Sequence, residues 1–178
     1  DQALVGELVG ESDAVVHLAA LRITQCVAEP DRAFDVMFKG AYNVFSTAAK
    51  AGIKNIIAAS SASVYGPAEK FPTLESHHPY NAMTLYGVGK LSNEGMLRAL
   101  RDLFEFRYAI IRPFNVYGPR MDIHGAYTEV LVRWMERIIG GKSPVIFGDG
   151  EQTLDFTYVG DVARAFTLAL KSESNGAD

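Results

Sequence analysis

Three short apolar runs, Val15-Val16-His17-Leu18, Ile56-Ile57-Ala58-Ala59 and Tyr108-Ala109-Ile110-Ile111, are separated by two long stretches of helical period. This spacing constrains the fold more than any other feature of the chain. Runs of this length read as buried strands over 13–20, 54–60 and 107–113. Between the first two, Pro30 and Asp31 open a helix that carries Phe34, Val44, Phe45 and Ala48 and stops at Gly52. Between the second and third, Thr84 is an N-cap for a helix whose apolar stripe is Leu91, Met96, Leu97, Leu100 and Phe104. The order strand, helix, strand, helix, strand implies an α/β fold with parallel pairing through right-handed crossovers. Ligand sites in such sheets lie at the C-terminal ends of the strands. There the first strand ends in small residues, Ala19 and Ala20. They suit either a flat ligand or a closely packed helix or sheet.

The remainder is less regular. A helix is expected over 127–139, stopped by Gly140-Gly141, then a short strand at 145–147 and a turn at Gly148-Asp149-Gly150. An extended piece over 156–159 precedes a closing helix at 161–170, and the last residues are polar. At the other end, 1–10 reads as an amphipathic turn and helix, and residue 1 is Asp rather than Met. The piece looks excised from a longer chain.

With 178 residues, 48% hydrophobic and 21% charged, the chain can bury a core of its own. A net charge of −4 argues against nucleic acid as the main partner. No window approaches the ~18 apolar residues of a membrane span, and no secretory leader opens the sequence. The single cysteine, Cys26, cannot form an internal disulfide and fits a reducing, cytoplasmic setting. It reads as a packed or half-exposed thiol. His17 reads as structural, and His77, His78 and His124 as surface residues; their spacing implies no metal.

Candidate chemistry sits between the second strand and the second long helix. Ser60-Ser61-Ala62-Ser63-Val64-Tyr65-Gly66 follows the strand, and Tyr86-Gly87-Val88-Gly89-Lys90 opens the helix. Tyr86 and Lys90, four apart, share one helix face. A hydroxyl at a strand end, with a phenol and an ammonium stacked on a helix, can move a proton on an alcohol. A phenol has a pKa of about 10. A nearby ammonium is expected to favour the phenolate and bring it toward the range of a general base.

On these residues the chain resembles the NAD-dependent epimerase/dehydratase family, the extended short-chain dehydrogenase/reductases that act on nucleotide sugars. Five blocks match in order. They are Val16-His17-Leu18-Ala19-Ala20, the Ser60 to Gly66 segment, Tyr86-x-x-x-Lys90, the Arg112-Pro113-Phe114-Asn115-Val116-Tyr117-Gly118-Pro119-Arg120 segment, and Gly148-Asp149-Gly150-Glu151-Gln152 with Asp155-Phe156 and Tyr158-Val159-x-Asp161-Val162. The resemblance implies a Rossmann-like parallel sheet flanked by helices, N-terminally truncated, with part of a small C-terminal substrate-binding region. Residues 1–113 would form a partial dinucleotide-binding domain. Residues 114–178 would contribute to the substrate-binding region and to later elements of the Rossmann-like domain.

The resemblance also implies roles. Tyr86 would be the general base and acid, Lys90 would tune it and bond the nicotinamide ribose, and Ser61 would hydrogen-bond the reacting oxygen. Leu18, Ala19, Ala20, Arg22, Ser60 and Pro113, with Tyr86 and Lys90, would contact NAD. Ser61, Ser63, Asn115 and Arg120 would contact a nucleotide-sugar substrate. A homodimer is implied through helices 31–51 and 84–105, with Phe38, Tyr42, Phe45, Leu97 and Arg101 as contributors or as ordinary packing within one chain.

Departures from the family pattern narrow the reading. Dehydratases carry Asp-Glu where this chain has Ala62-Ser63, and decarboxylases usually have Glu at Ser63, so a UDP-glucose/galactose-type 4-epimerase is expected. The Gly-rich phosphate loop is absent from the sequence, which predicts weak cofactor binding and an uncovered apolar edge on the first strand. Met37 stands where the family usually has Asn, and Ala41 where it often has Thr. Leu154 replaces a usual Arg that binds the substrate diphosphate; Arg120, Arg133 or Arg164 are the candidates to compensate. A non-catalytic binding member of the fold and an NADPH-dependent carbonyl reductase are the competing readings.

Overall fold

The computed structural model describes residues 1–78, 81–121 and 130–172. Asp1 caps α1 (Gln2–Gly10), its carboxylate accepting from the amides of Ala3 and Leu4 at 2.9 and 3.2 Å. β1 (Val15–His17) follows, shorter than the run that announced it. A six-residue helix, α2 (Ile23–Ala28), is an addition the sequence did not disclose. Six residues are too few to establish a helical period.

The helix expected over 31–51 is one stack with a change of register inside it. α3 (Pro30–Phe34) opens on its proline and passes into a π-helical turn, Asp35–Gly40, before α4 (Ala41–Lys50). Gly52, at φ +80°, ends it as expected. β2 (Asn55–Ala59), a 3₁₀ turn (Ala62–Val64) and α5 (Leu85–Phe104) come next. Thr84 caps α5, its hydroxyl accepting from the Gly87 amide at 3.0 Å. β3 (Arg107–Ile111), β4 (Val116–Tyr117), α6 (Val130–Ile139), β5 (Thr157–Tyr158) and α7 (Val159–Lys171) complete the described chain.

β1, β2 and β3 form a parallel sheet in that order, with Val15 opposite Ile56 and Ile57 opposite Ala109. A second parallel pair, β4 with β5, sets Val116 opposite Thr157. Ile56 and Ala58 of β2 are buried with Phe45 and Ala48 of α4 and Leu97 and Leu100 of α5. Ile57 points to the opposite face by the two-residue alternation of a strand. There α7 packs against β2 and β3. Full burial of such side chains contributes about 1.5–3 kcal/mol each, so this layer dominates the stability.

Three expectations need correction. Val145, Ile146 and Phe147 form no strand. A strand needs a ladder partner, and here the Val145 carbonyl instead accepts from the Trp134 indole N–H at 2.9 Å, while Phe147 is 83% exposed. Phe45 and Leu97, offered as interface residues, have no exposed surface and belong to the core, whereas Tyr42 is exposed. The closing helix begins two residues earlier than predicted. The start of the helix expected at 127 and His124 lie outside the described residues. β1 is at the sheet edge among the described residues, with Val16 and Leu18 exposed.

His17 is buried with its ring edge against Phe45, centroids 4.9 Å apart. Burial, with the nearby Lys90 charge adding to it, lowers its pKa from 6.5 to about 4. Between pH 6.5 and 4 the unfolded chain therefore binds a proton that the folded one refuses, so stability falls as pH falls through that window. The expected loss is about 3–4 kcal/mol at most. Urea unfolding at stepped pH checks this: His17→Phe should lack that component of the acid loss, and a variant curve parallel to wild type would contradict it.

Candidate active site

The C-terminal ends of β2 and β3 stay joined beyond the ladder. The Ser60 amide donates to the Ile111 carbonyl at 2.8 Å, and the Ala62 amide to that of Pro113 at 3.2 Å. Between them Ser61 is extended, at φ −164° and ψ 152°, and its hydroxyl accepts from the Ser63 amide at 3.1 Å. That hydroxyl also donates to the Ser63 hydroxyl at 3.2 Å.

The N-terminus of α5 lies directly on this turn because residue 87 is glycine. A Cβ there would stand 2.7 Å from the Ser63 carbonyl oxygen. The close approach brings Tyr86 and Ser61 together in the wall of one cleft. Gly87→Ala is expected to push α5 off the turn and lower any turnover about 10²-fold, the cost of a misplacement near 1 Å. Steady-state kinetics beside a thermal melt checks it; full activity would show that the contact does not set the geometry.

Lys90, one turn further along α5, is 1% exposed. Its ammonium donates to the Ala59 carbonyl at 2.7 Å and lies 5.8 Å from the centre of the Tyr86 ring. Burial lowers its pKa from 10.5 to about 8. The acidified phenol expected from the sequence is not what the structure shows. Burial raises the Tyr86 pKa, the Ser61 hydroxyl pulls it partly back, and the Cys26 thiol raises it further. The ammonium stands over the ring and is engaged by a carbonyl, so desolvation of the phenol prevails.

Ser61 and Tyr86 open on a cleft of about 910 Å³ at the sheet's C-terminal edge. Ala20, Arg22, Ser60, Ser61, Ser63, Tyr86, Pro113, Asn115 and Arg120 all line it. Leu18, Ala19 and Lys90 do not. The Ser60 hydroxyl is turned away to the Glu94 carboxylate. The Asn115 side chain donates to the Asp155 carbonyl at 3.0 Å, tying β4 to the segment before β5. Arg120 and Arg133 line the cleft, whereas Arg164 and the exposed Leu154 do not. Cys26 is buried in a small cluster with Ala33 and Met37, against which Tyr86 packs.

Sequence reasoning missed the group that anchors the serine turn from behind. Glu94, 2% exposed, accepts from the Ser60 hydroxyl and takes a bidentate pair from Arg112 at 2.9 and 2.6 Å. Arg112 also donates to the Tyr65 hydroxyl at 3.1 Å and the Glu75 carbonyl at 3.0 Å. The carboxylate and the phenol hold the guanidinium charged, raising its pKa. Glu94 stands four residues after Lys90 and eight after Tyr86, on one helix face with both, and that spacing was the available signal.

A profile of the NAD dependent epimerase/dehydratase family matches residues 1–178. A putative UDP-glucose 4-epimerase of Methanocaldococcus jannaschii is 37% identical over 160 residues, 89% of this chain and 52% of that one. The UDP-glucose 4-epimerase of Thermotoga maritima, solved with UDP-glucose, superposes with a TM-score of 0.89 at 33% identity, covering 96% of this chain and 56% of its own. The UDP-glucuronic acid 4-epimerase of Bacillus cereus, solved with UDP-glucuronic acid and NAD, does so at 0.82 and 28%, covering 98% and 55%. The chain spans about half the length of the curated relatives it matches. The family match over the whole of this chain and the likeness of its parallel sheet to those structures settle the point, and the chain belongs to the NAD dependent epimerase/dehydratase family.

Proposed function

We propose that this chain carries the catalytic residues of an NAD-dependent nucleotide-sugar 4-epimerase that works through transient oxidation of the sugar's 4-hydroxyl. The observation that supports it is the meeting of Ser61 and Tyr86 in the wall of one cleft, with Lys90 buried a turn away. NAD fits this cleft: small and flat side chains, Ala20, Pro113 and Tyr86, line a space within the range of ligand pockets. When bound it supplies the hydride acceptor and donor and, oxidised, a positive charge.

Tyr86 takes the proton from the 4-hydroxyl and later returns it. Ser61 donates to the oxygen as it becomes a carbonyl. Lys90 sets its ammonium 5.8 Å from the centre of the Tyr86 ring, the fixed cation behind the phenol. Arg120 and Arg133 are the cations for the substrate's diphosphate, in place of the absent Arg at Leu154. On this reading 1–113 is the cofactor side, 114–178 the substrate side with α7 returning to the sheet, and the protein works in the cytoplasm. It pairs with a second copy through the surface that bears Phe38, Tyr42 and Arg101. No described helix is long and apolar enough to cross a membrane.

The test is interconversion of UDP-glucose and UDP-galactose with NAD⁺ by a form carrying a Gly-rich phosphate-binding segment ahead of Asp1. Interconversion supports the proposal. Tight binding of the nucleotide sugar without interconversion would replace it with the non-catalytic reading.

A further inference from the structure

Leu21 is held between two sulfur atoms. Its amide donates to the Met37 thioether at 3.4 Å, and the Cys26 thiol faces its carbonyl at 4.0 Å. Leu21 lines the cleft between Ala20 and Arg22. Met37 is 1% exposed and sits in the π-helical turn. In the amide orientation its neighbours require, Asn93 donates to the Met37 carbonyl at 2.9 Å and to the Gly89 carbonyl at 3.1 Å. Gly89 in turn abuts Met37, for a Cβ there would stand 2.9 Å from the Met37 Cβ. One side chain thus touches both the segment after β1 and the turn of α5 that bears Tyr86 and Lys90.

We propose that Met37 is a positioning residue whose sulfur, acting as a hydrogen-bond acceptor, fixes the Leu21–Arg22 wall of the cleft relative to Tyr86. The proposal rests on the reading above only in assigning that wall to the cofactor. Packing alone would make a different prediction. Met37→Leu conserves volume and apolarity, an exchange cores tolerate well, but removes the acceptor. Met37→Gln keeps the chain length and an acceptor while burying a polar group. A packing role ranks Leu above Gln; an acceptor role ranks Gln above Leu at Leu21.

Amide hydrogen exchange of the ¹⁵N-labelled chain decides between them. Leu21 protection is expected to fall about tenfold or more in Met37→Leu, as an amide left without its acceptor requires. It should remain near wild type in Met37→Gln, with the Ile57 amide unchanged in both. Unchanged Leu21 protection in Met37→Leu, or equal losses in the two variants, would overturn the proposal. A parallel NAD titration should show about tenfold weaker binding for Met37→Leu and recovery for Met37→Gln. Wild-type affinity in Met37→Leu would overturn the link to the cofactor wall. Absence of NAD binding in every form, each carrying the Gly-rich start of the functional test, would count against the proposed function, and the exchange data would still judge Met37.

Discussion

Tyr86→Phe is expected to lower kcat by about 10²–10⁴-fold, the range that a positioned proton-transfer group contributes, and to leave the melting temperature within experimental error of wild type. The Tyr86 side chain is only partly buried, against the cluster of Cys26, Ala33 and Met37. Removing one oxygen there empties no core cavity. Burial holds the proton on the phenol in this structure, so the base form depends on positive charge entering the cleft. The pH profile should accordingly show an ionisation in wild type that Tyr86→Phe lacks. Rate measurements with UDP-glucose and NAD⁺, paired with a melt, check both parts. Activity within tenfold of wild type would mean that another group moves the proton.

Glu94→Ala is expected to destabilise the fold by about 3–5 kcal/mol, because it leaves the Arg112 guanidinium without its buried counter-charge. For a chain of this size that is a fall of roughly 6–20 °C in melting temperature. The side chain of Arg112 is 18% exposed and that of Glu94 2%, so water cannot replace the lost partner well. Replacing both, as Glu94→Leu with Arg112→Met, should recover much of the loss, since a buried pair is often neutral against an apolar substitute of similar volume. The Ser60 hydroxyl also loses its acceptor, and Ser60 precedes Ser61, so the double variant should regain stability without regaining full turnover. Calorimetry and kinetics on the three forms test this; a Glu94→Ala loss below about 1 kcal/mol, the level of an exposed pair, would contradict it.

Local signals carried the parts of this molecule that depend on local geometry. Thr84 as a cap, Tyr86 and Lys90 on one face, Gly52 as a stop and the parallel order of three strands follow from spacing and turn chemistry. The Glu94–Arg112–Tyr65 network did not show in advance, because its members lie 18 to 47 residues apart and pair only once the sheet has formed. Residues 145–147 have the composition of a strand but no ladder partner, which composition cannot reveal. The π-helical turn at Met37 lies where Gly89 and Asn93 of α5 meet it and leaves no periodic trace in the sequence. The direction of the Tyr86 shift was misjudged for a related reason: the Tyr86–Lys90 spacing gives the charge, while the depth of the cleft gives the desolvation that outweighs it.

The central claim is that Ser61 and Tyr86 serve a reversible oxidation at one sugar carbon. Nucleotide sugar carrying deuterium at C4 measures it most directly, with the product examined by mass spectrometry and NMR. The account predicts that the deuterium stays on C4 of the inverted product, with none gained from or lost to the solvent. Exchange of that atom with water, or inversion with loss of the C4–O bond, would contradict it.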